Sequence, residues 1–523
     1  MKRWHRARLN GGRKNDGSAG VAQVFQNVSM SLTSDPFARM SQLLRFGRGL
    51  GAFAALGSSP WLLPCPNLAA SSPDAQISHI EGNLLPTVQI RGRSITARSL
   101  TDEMVAHHIP SVSIAVVDNG LILWAKTYGF ADLSSKRPAT ISTLYQAGSM
   151  SKPVTASAAM QLVEEGRIEL DSPVKSRPTS SGIPLNILHY DQPITLRQIL
   201  THTAGLTVSG FGGYDTSASI PSIIEIIQGK PPANNPPIVV DLTPGTAWRY
   251  SGGGYVIAQF LMVEADGRNF PELMRDRVLL PVGMAASTFE QPLPSSRSAE
   301  AATGYLADGR ILEGRFHVYP EMAAAGLWTT PSDLARWVIA LERAYNGERS
   351  SLMSQTTARA MLTPGLGNWG LGIAIKASID GFLIVHGGSN LGFKGSLVGW
   401  PKGERAVVAM ANGDDCMAVI DPLVAAVARE YGWAGMEPKI IDSVDLTAIQ
   451  RGEIIGSYGG GGMTISSEGD RLIGHAFGRT FELVPQGDDH FLADLVPIVA
   501  QRGADGRVNA LKIEGKTTLN RDR

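Results

Sequence analysis

The chain reads as an α+β protein: one antiparallel sheet flanked by helices, a helical domain inserted between its strands, and a small antiparallel β-barrel at the end. Three observations predict this. Short apolar, strand-like runs lie on both sides of a long central stretch, and that stretch carries helical patterns. After Pro438 the texture changes to many short strands separated by turn signals at regular spacing.

The first 75 residues form a basic leader that we expect to stand outside the fold. Residues 1–48 are rich in Lys and Arg with few acids, and Arg45 and Arg48 precede an apolar run, Gly49 to Leu63, broken by Ser58, Ser59 and Pro60. Small residues follow at Leu68-Ala69-Ala70-Ser71. A cationic flank, a short apolar core and a small-residue exit are the order of a secretory signal, which predicts a periplasmic or secreted protein. The flank is longer than usual, so translation from Met30 or Met40 is one reading; a leader that is no signal, in a cytoplasmic protein, is the other. The run is too short and too broken for a stable membrane span.

Residues 76–436 are expected to form the first folded domain. Val112 to Val117, Asp118-Asn119-Gly120 and Leu121 to Tyr128 predict a hairpin, because Asn-Gly supplies the positive φ angles of a type I′ turn. Phe382 to His386, Gly395 to Trp400 and Ala406 to Ala411 predict three further strands. Pro153 to Glu165, Pro331 to Tyr345 and Met417 to Tyr431 predict helices. Residues 437–523 are expected to form the all-β domain, with strands at Met463 to Ser466, Arg471 to His475, Thr480 to Val484, His490 to Ala493 and Val508 to Ile513. A cleft is expected where the sheet meets the inserted helices.

Bulk properties narrow the function. A chain of 523 residues exceeds one typical domain, and its 43% hydrophobic and 18% charged content is that of a globular protein. The 47 basic and 47 acidic side chains balance, which offers no cationic excess for nucleic acid. Cys65 and Cys416 cannot build a disulfide framework, and no His or Cys stands at zinc-ligand spacing around them. Pro64 argues against lipid attachment at Cys65.

Chemistry enters at Gln146-Ala147-Gly148-Ser149-Met150-Ser151-Lys152-Pro153. If Ser149 opens a helix, Lys152 lies one turn later on the same face. A serine hydroxyl needs a base to become a nucleophile, and a desolvated lysine can be that base. Alone the pattern is weak, because Ser172-Pro173-Val174-Lys175 repeats it in what reads as a connecting loop. Two later segments decide for Ser149: Pro244 to Tyr255, containing Trp248-Arg249-Tyr250-Ser251-Gly252, and Val385-His386-Gly387-Gly388-Ser389-Asn390 on an apolar strand.

Taken in order, Ser-x-x-Lys, Tyr-Ser-x and His-x-Gly resemble the motifs of the serine β-lactamase and penicillin-binding-protein superfamily, which includes class C β-lactamases, family VIII carboxylesterases and D-aminopeptidase-like hydrolases. Leu196 to Leu206 and Ala325 to Pro331 are similar to its supporting segments, so the resemblance covers roughly residues 90–430. It implies a β-lactamase/transpeptidase-like fold and an acyl-Ser149 intermediate. Lys152 and Tyr250 would share acid–base work, with Tyr250 a phenolate held by Lys152, and the backbone N–H groups of Ser149 and Ser389 would form the oxyanion hole. Gly387 and Gly388 would let substrate lie against the strand. His386 stands where many relatives carry lysine, and would orient the tyrosine or a substrate carboxylate.

One position departs from the pattern. Where many relatives hold the substrate amide with Asn, two places after the tyrosine, this chain has Gly252. That leans toward ester or lactone substrates over amides. His202 is expected to be structural and away from the site, and Trp328 and Phe393 to be core or cleft-lining. No Gly-x-Ser-x-Gly elbow, zinc-peptidase or nucleotide motif occurs, and no metal or organic cofactor is indicated. The final β domain resembles the lipocalin-like module appended to some members; covering the cleft, binding a ligand and stabilising a homodimer are all open roles for it. The leading expectation is a serine hydrolase of small ester or amide substrates. A D-amino-acid peptidase or β-lactamase is the nearest alternative, and a non-catalytic ligand-binding or sensor protein is the alternative of another class.

Overall fold

The computed structural model describes residues 72–174, 193–476, 479–493, 495–514 and 517–522. The leader up to residue 71, with Cys65, and Lys175 lie outside the described residues, whereas residues 72–75, expected to belong to the leader, cap and open the helix Pro73–Gly82. The described chain forms two compact units: one holds the residues up to Thr87 together with Ile95–Glu437, the other Val88–Ser94 and everything from Pro438 on.

The larger unit is built on a seven-stranded sheet, antiparallel throughout. Its strands are β1 (Ser111–Asp118), β2 (Leu121–Asp132), β3 (Arg137–Pro138), β4 (Ala374–Ser378), β5 (Gly381–Asn390), β6 (Phe393–Trp400) and β7 (Arg405–Ala411), in the order β3-β2-β1-β7-β6-β5-β4. Asn119 and Gly120 take φ of 51° and 69°, as the hairpin turn between β1 and β2 requires. The two ends of the unit meet where Val112 faces Ala411 and Val117 faces Ala406. The strand Ala374–Ser378 was not anticipated; its Lys376, Ala377 and Ser378 blur the apolar signal of a sheet edge.

Alternation along the central strands feeds two cores. Ala406, Val408 and Met410 join the core that also holds Ala115, Val154 and Trp337, whereas Val407, Ala409 and Ala411 join Val112, Ile114, Val116 and Leu423 on the other face. The helices that cover these faces include α1 (Ser151–Glu164), α2 (Gly252–Asp266), α3 (Met322–Ala325), α4 (Pro331–Asn346) and α5 (Met417–Glu430). Their ends follow local chemistry. Thr330 caps α4 by accepting the Asp333 N–H, Pro331 occupies the first turn, and Gly347 ends the helix at φ 86°.

The smaller unit is a barrel of eight antiparallel strands in sequence order: β8 (Gly456–Tyr458), β9 (Met463–Glu468), β10 (Arg471–Ala476), β11 (Arg479–Gly487), β12 (His490–Ala493), β13 (Val496–Arg502), β14 (Val508–Ile513) and β15 (Thr517–Asn520). The Gly459 N–H donates to Asn520 at 2.7 Å and the Asp522 N–H to Ser457 at 2.8 Å, bringing the first strand to the last. The Asp522 carboxylate then accepts the N–H groups of Gly460 and Gly461, at 2.7 and 2.8 Å. Side chains such as Met463, Leu483, Phe491 and Leu511 fill the interior. A parallel strand pair, Val88–Ile90 with Lys439–Ile441, completes the unit. Strand β13 was not anticipated because Pro497 interrupts its pattern and only two residues separate it from β12.

One residue of α4 is out of keeping with its surroundings. Glu342 is fully buried, and neither carboxylate oxygen reaches hydrogen-bond geometry, although the Trp400 N–H lies near enough to exert a small pull. Burial, reinforced by Glu404, holds its pKa well above the ordinary carboxyl value. A carboxyl with a raised folded pKa costs no stability below its unfolded value, about 4.3, and progressively more as pH rises above it. Glu342→Gln is therefore expected to stabilise the protein, with a gain in urea midpoint that widens between pH 4 and pH 7. A difference independent of pH would contradict the assignment.

Candidate active site

Ser149 lies in a single 3₁₀ turn, Gly148–Met150, that runs directly into α1. Gly148 takes φ 51°, and a Cβ there would stand 2.5 Å from the Ser389 nitrogen, so glycine is needed for both shape and space. Across the gap, a Cβ on Gly388 would meet the Ala147 carbonyl oxygen at 2.0 Å. Gly388 and Gly395 face each other on β5 and β6, and the Met150 side chain fills the slot that the pair leaves open. The nucleophile turn is thus seated directly on the sheet. Gly388, expected from the sequence to let substrate lie against the strand, makes this backbone contact; Gly387 is half-buried and lends its carbonyl to His386. The contact also brings the Ser389 nitrogen beside the Ser149 turn.

Ser151 braces the turn from below. Its hydroxyl donates to the Gly148 carbonyl at 2.6 Å and accepts the Leu327 N–H at 3.0 Å. Asn390, at the end of β5, donates to Gln146 and to the Ala325 carbonyl, at 2.9 and 3.1 Å.

Lys152 is 2% exposed, and its Nζ donates to Ser149 Oγ at 3.0 Å and to the Ala324 carbonyl, on α3, at 2.9 Å. Burial without a carboxylate partner lowers its pKa to about 7. The amine is therefore available as a base near neutrality. Ser149 itself is half-buried and reachable. Ser172 differs: its hydroxyl donates to Glu169.

Tyr250 comes to the same place from the loop before α2. Lys152 Nζ lies 4.9 Å from the centre of its ring. The phenol oxygen is buried and makes no hydrogen bond of normal geometry; Ser149 is near enough to lower its pKa slightly, but burial dominates and raises it. Tyr250 is accordingly a neutral phenol that can donate, not the phenolate expected from the sequence. Gly252, two residues on, opens α2, and a Cβ there would meet the Phe211 ring at 3.0 Å. The half-buried Phe211 ring therefore occupies the space beside Gly252.

His386 is buried on β5, on the face that Gly388 and Asn390 share. Trp369 stands beside both it and Tyr250, with ring centres 5.5 and 5.9 Å away. Three residues missed from the sequence complete this wall. Trp248 and Trp369 pack at 5.5 Å, and His202, expected to be remote, lies against Tyr250 at 4.3 Å. His202 Nδ1 accepts the Ser251 N–H at 3.0 Å, which anchors the residue after Tyr250. The expected hydrogen-bonded histidine is present, but at the site. The Leu200-Thr201-His202 segment was the available signal for it; Trp369, between glycine-rich turns, carried none. Trp328 and Phe393 are fully buried in edge-to-face contact at 5.8 Å and belong to the core. Among the described residues no cluster of His, Cys, Asp and Glu could hold a metal ion, and no helix is long and apolar enough to cross a membrane.

Two substitutions test this geometry. Gly388→Ala would push the nucleophile turn off the sheet and is expected to cut fluorophosphonate labelling of Ser149 by on the order of 100-fold. Lys152→Met is expected to abolish labelling yet raise stability. Holding the amine at a pKa near 7 costs on the order of 4 kcal/mol below that pH. Losing the donor to Ala324 costs about 1–3 kcal/mol, so a net gain remains. The gain should shrink from pH 6 to pH 10 in thermal melts, as the lysine penalty disappears.

A family model described as Beta-lactamase matches residues 97–429. Protein flp of Staphylococcus aureus (strain MW2) is 25% identical over 320 residues, which cover 58% of this chain and 60% of that protein. The chain thus spans about three fifths of the length of such relatives. Penicillin-binding protein 4* of Bacillus subtilis (strain 168) is 23% identical over 459 residues, covering 81% of this chain and 94% of that one. Among solved structures, the octameric penicillin-binding protein homologue from Pyrococcus abyssi matches with a TM-score of 0.57 at 22% identity, over 81% of this chain and 97% of that chain. A crystal structure of SurE with D-Leu matches over the same shares, with a TM-score of 0.53 at 22% identity. These two likenesses speak to fold.

Proposed function

The chain belongs to the beta-lactamase family, and on that premise we propose that it is a serine hydrolase cleaving esters through an acyl-Ser149 intermediate. The observation that carries this reading is the buried Lys152 amine, 3.0 Å from Ser149 Oγ and with its pKa lowered to about 7. In the proposed reaction Ser149 Oγ attacks the carbonyl carbon as its proton passes to the Lys152 amine. The oxyanion forms against the N–H groups of Ser149 and Ser389. The Tyr250 phenol, or the Lys152 ammonium through it, then protonates the departing alkoxide. Water attacks the acyl-enzyme and returns the serine with its proton, releasing the acid.

Esters are favoured over amides because the Tyr250 side of the site presents Gly252 and the Phe211 ring, with no side-chain amide at that position. A peptidase or β-lactamase acting on D-amino-acid substrates is the second reading, supported by the likeness to penicillin-binding protein 4*. A fluorophosphonate probe followed by peptide mapping tests the parent reading. One adduct on Ser149, lost in Ser149→Ala and kept in Ser172→Ala, is expected; a folded protein without an adduct would favour a non-catalytic ligand-binding role. Turnover of an aryl ester against a D-alanyl amide and nitrocefin separates the two enzymatic readings. Because the neutral amine is the base, the acylation rate is expected to rise with pH to a plateau, with an apparent pKa of about 7, in stopped-flow single turnovers.

A further inference from the structure

His386 is held in one chemical state by its surroundings. Its Nδ1 lies 2.7 Å from the Gly387 carbonyl oxygen, which can only accept, so Nδ1 carries the ring proton and Nε2 presents a lone pair. The ring is 2% exposed, and burial with Lys152 nearby lowers its pKa to about 3, so it stays neutral. Nε2 is buried and has no donor among the described residues. A buried acceptor without a donor is costly unless something else supplies one. Its place narrows the candidates: His386 shares a face of β5 with Gly388 and Asn390, the face on which the Ser149 turn rests, and β5 also carries Ser389.

The cations on the segments that form the site are already committed: Lys152 acts on the His386 ring, Arg249 precedes Tyr250, and Lys394 faces Ser389 across the sheet. Lys152 spends two of its protons on Ser149 and Ala324. The Arg249 guanidinium binds Asp241 and the carbonyls of Gly205 and Leu206. Lys394 binds Asp414 and the Asn390 carbonyl. A carboxylate brought beside His386 would thus meet a lone pair in a dry cleft, and both lone pair and burial disfavour it. Beside Gly252 the Phe211 ring adds an apolar wall, and the loop that carries it is pinned through the Ser209 and Val208 carbonyls, which accept the N–H groups of Gly252 and Gly253 at 3.1 and 2.9 Å.

We propose that this site takes uncharged esters whose leaving group offers a hydroxyl or N–H to His386 Nε2, and rejects leaving groups that carry a carboxylate. The inference rests on the acyl-Ser149 reading and names its substrate class. It also removes one role expected of His386 from the sequence, the binding of a substrate carboxylate.

The test uses the full chain and three acetate esters of matched phenols, bearing a meta hydroxymethyl, methyl-ester or carboxylate group. Wild type is expected to show kcat/KM about tenfold or more higher for the hydroxymethyl ester than for the carboxylate, with the methyl ester between them. His386→Lys places a cation there and is expected to narrow or invert that ratio, whereas His386→Leu should erase the advantage of hydroxymethyl over methyl ester. Circular dichroism and thermal melts establish which variants are folded; if the lysine variant does not fold, the leucine variant and the wild-type ratio still decide. Wild type that hydrolyses the carboxylate ester as well as the hydroxymethyl ester overturns the inference, as does a folded variant with unchanged ratios. If no ester acylates Ser149 by intact mass, the parent reading falls as well, so the two failures are read separately.

Discussion

The Ala147 carbonyl rests where a side chain on Gly388 would stand, and from that backbone contact the rest of the centre follows. Because β5 comes so near, the Ser389 nitrogen reaches the Gly148 turn, and Met150 can drop into the slot between Gly388 and Gly395. The first turn of α1 is thereby aimed, which brings Lys152 beneath Ser149. Glycine is required at Gly148 by a positive φ as well as by space, and at Gly388 by space alone.

Around this contact the protein handles a second constraint, the burial of an amine. No carboxylate partners Lys152 in the site; its ammonium is met by a hydroxyl and a carbonyl. That arrangement keeps the charged form poorly solvated and the neutral form accessible, which is what a base needs. A carboxylate partner would hold the amine in its charged form and leave it a worse base. The same dryness holds both neighbouring histidines well below their ordinary pKa, so their tautomers follow from fixed partners: a Ser251 N–H for His202 and a Gly387 carbonyl for His386.

Much of this was legible beforehand. The hairpin at Asn119-Gly120, three of the four long helices and most of the strands announce themselves by periodicity and turn chemistry, because each depends on neighbours in sequence; α2, which opens on Gly252-Gly253-Gly254, does not. Ser149, Lys152, Tyr250 and Ser389 could be named from their motifs, and the structure brings them together. What stayed hidden depends on tertiary contact. Trp369 has no sequence context that marks it, and Phe211 matters only because it lies over a glycine 41 positions later. The state of Tyr250 is set by burial and the tautomer of His386 by the Gly387 carbonyl, neither of which spacing reports. Strand β13 hid behind Pro497, whose ring breaks the expected pattern while the sheet tolerates it.

The parallel pair formed by Val88–Ile90 and Lys439–Ile441 makes the barrel unit discontinuous in the chain. Arg91 and Asp442, which are ion-paired beside it, are 351 positions apart. A contact of such sequence separation has no local guidance and raises the contact order of the fold. It also means that the chain has no single cut point. A cut near residue 437 would release all eight barrel strands yet leave Val88–Ile90 on the other fragment, and Lys439–Ile441 would lose its partner and present an unpaired edge.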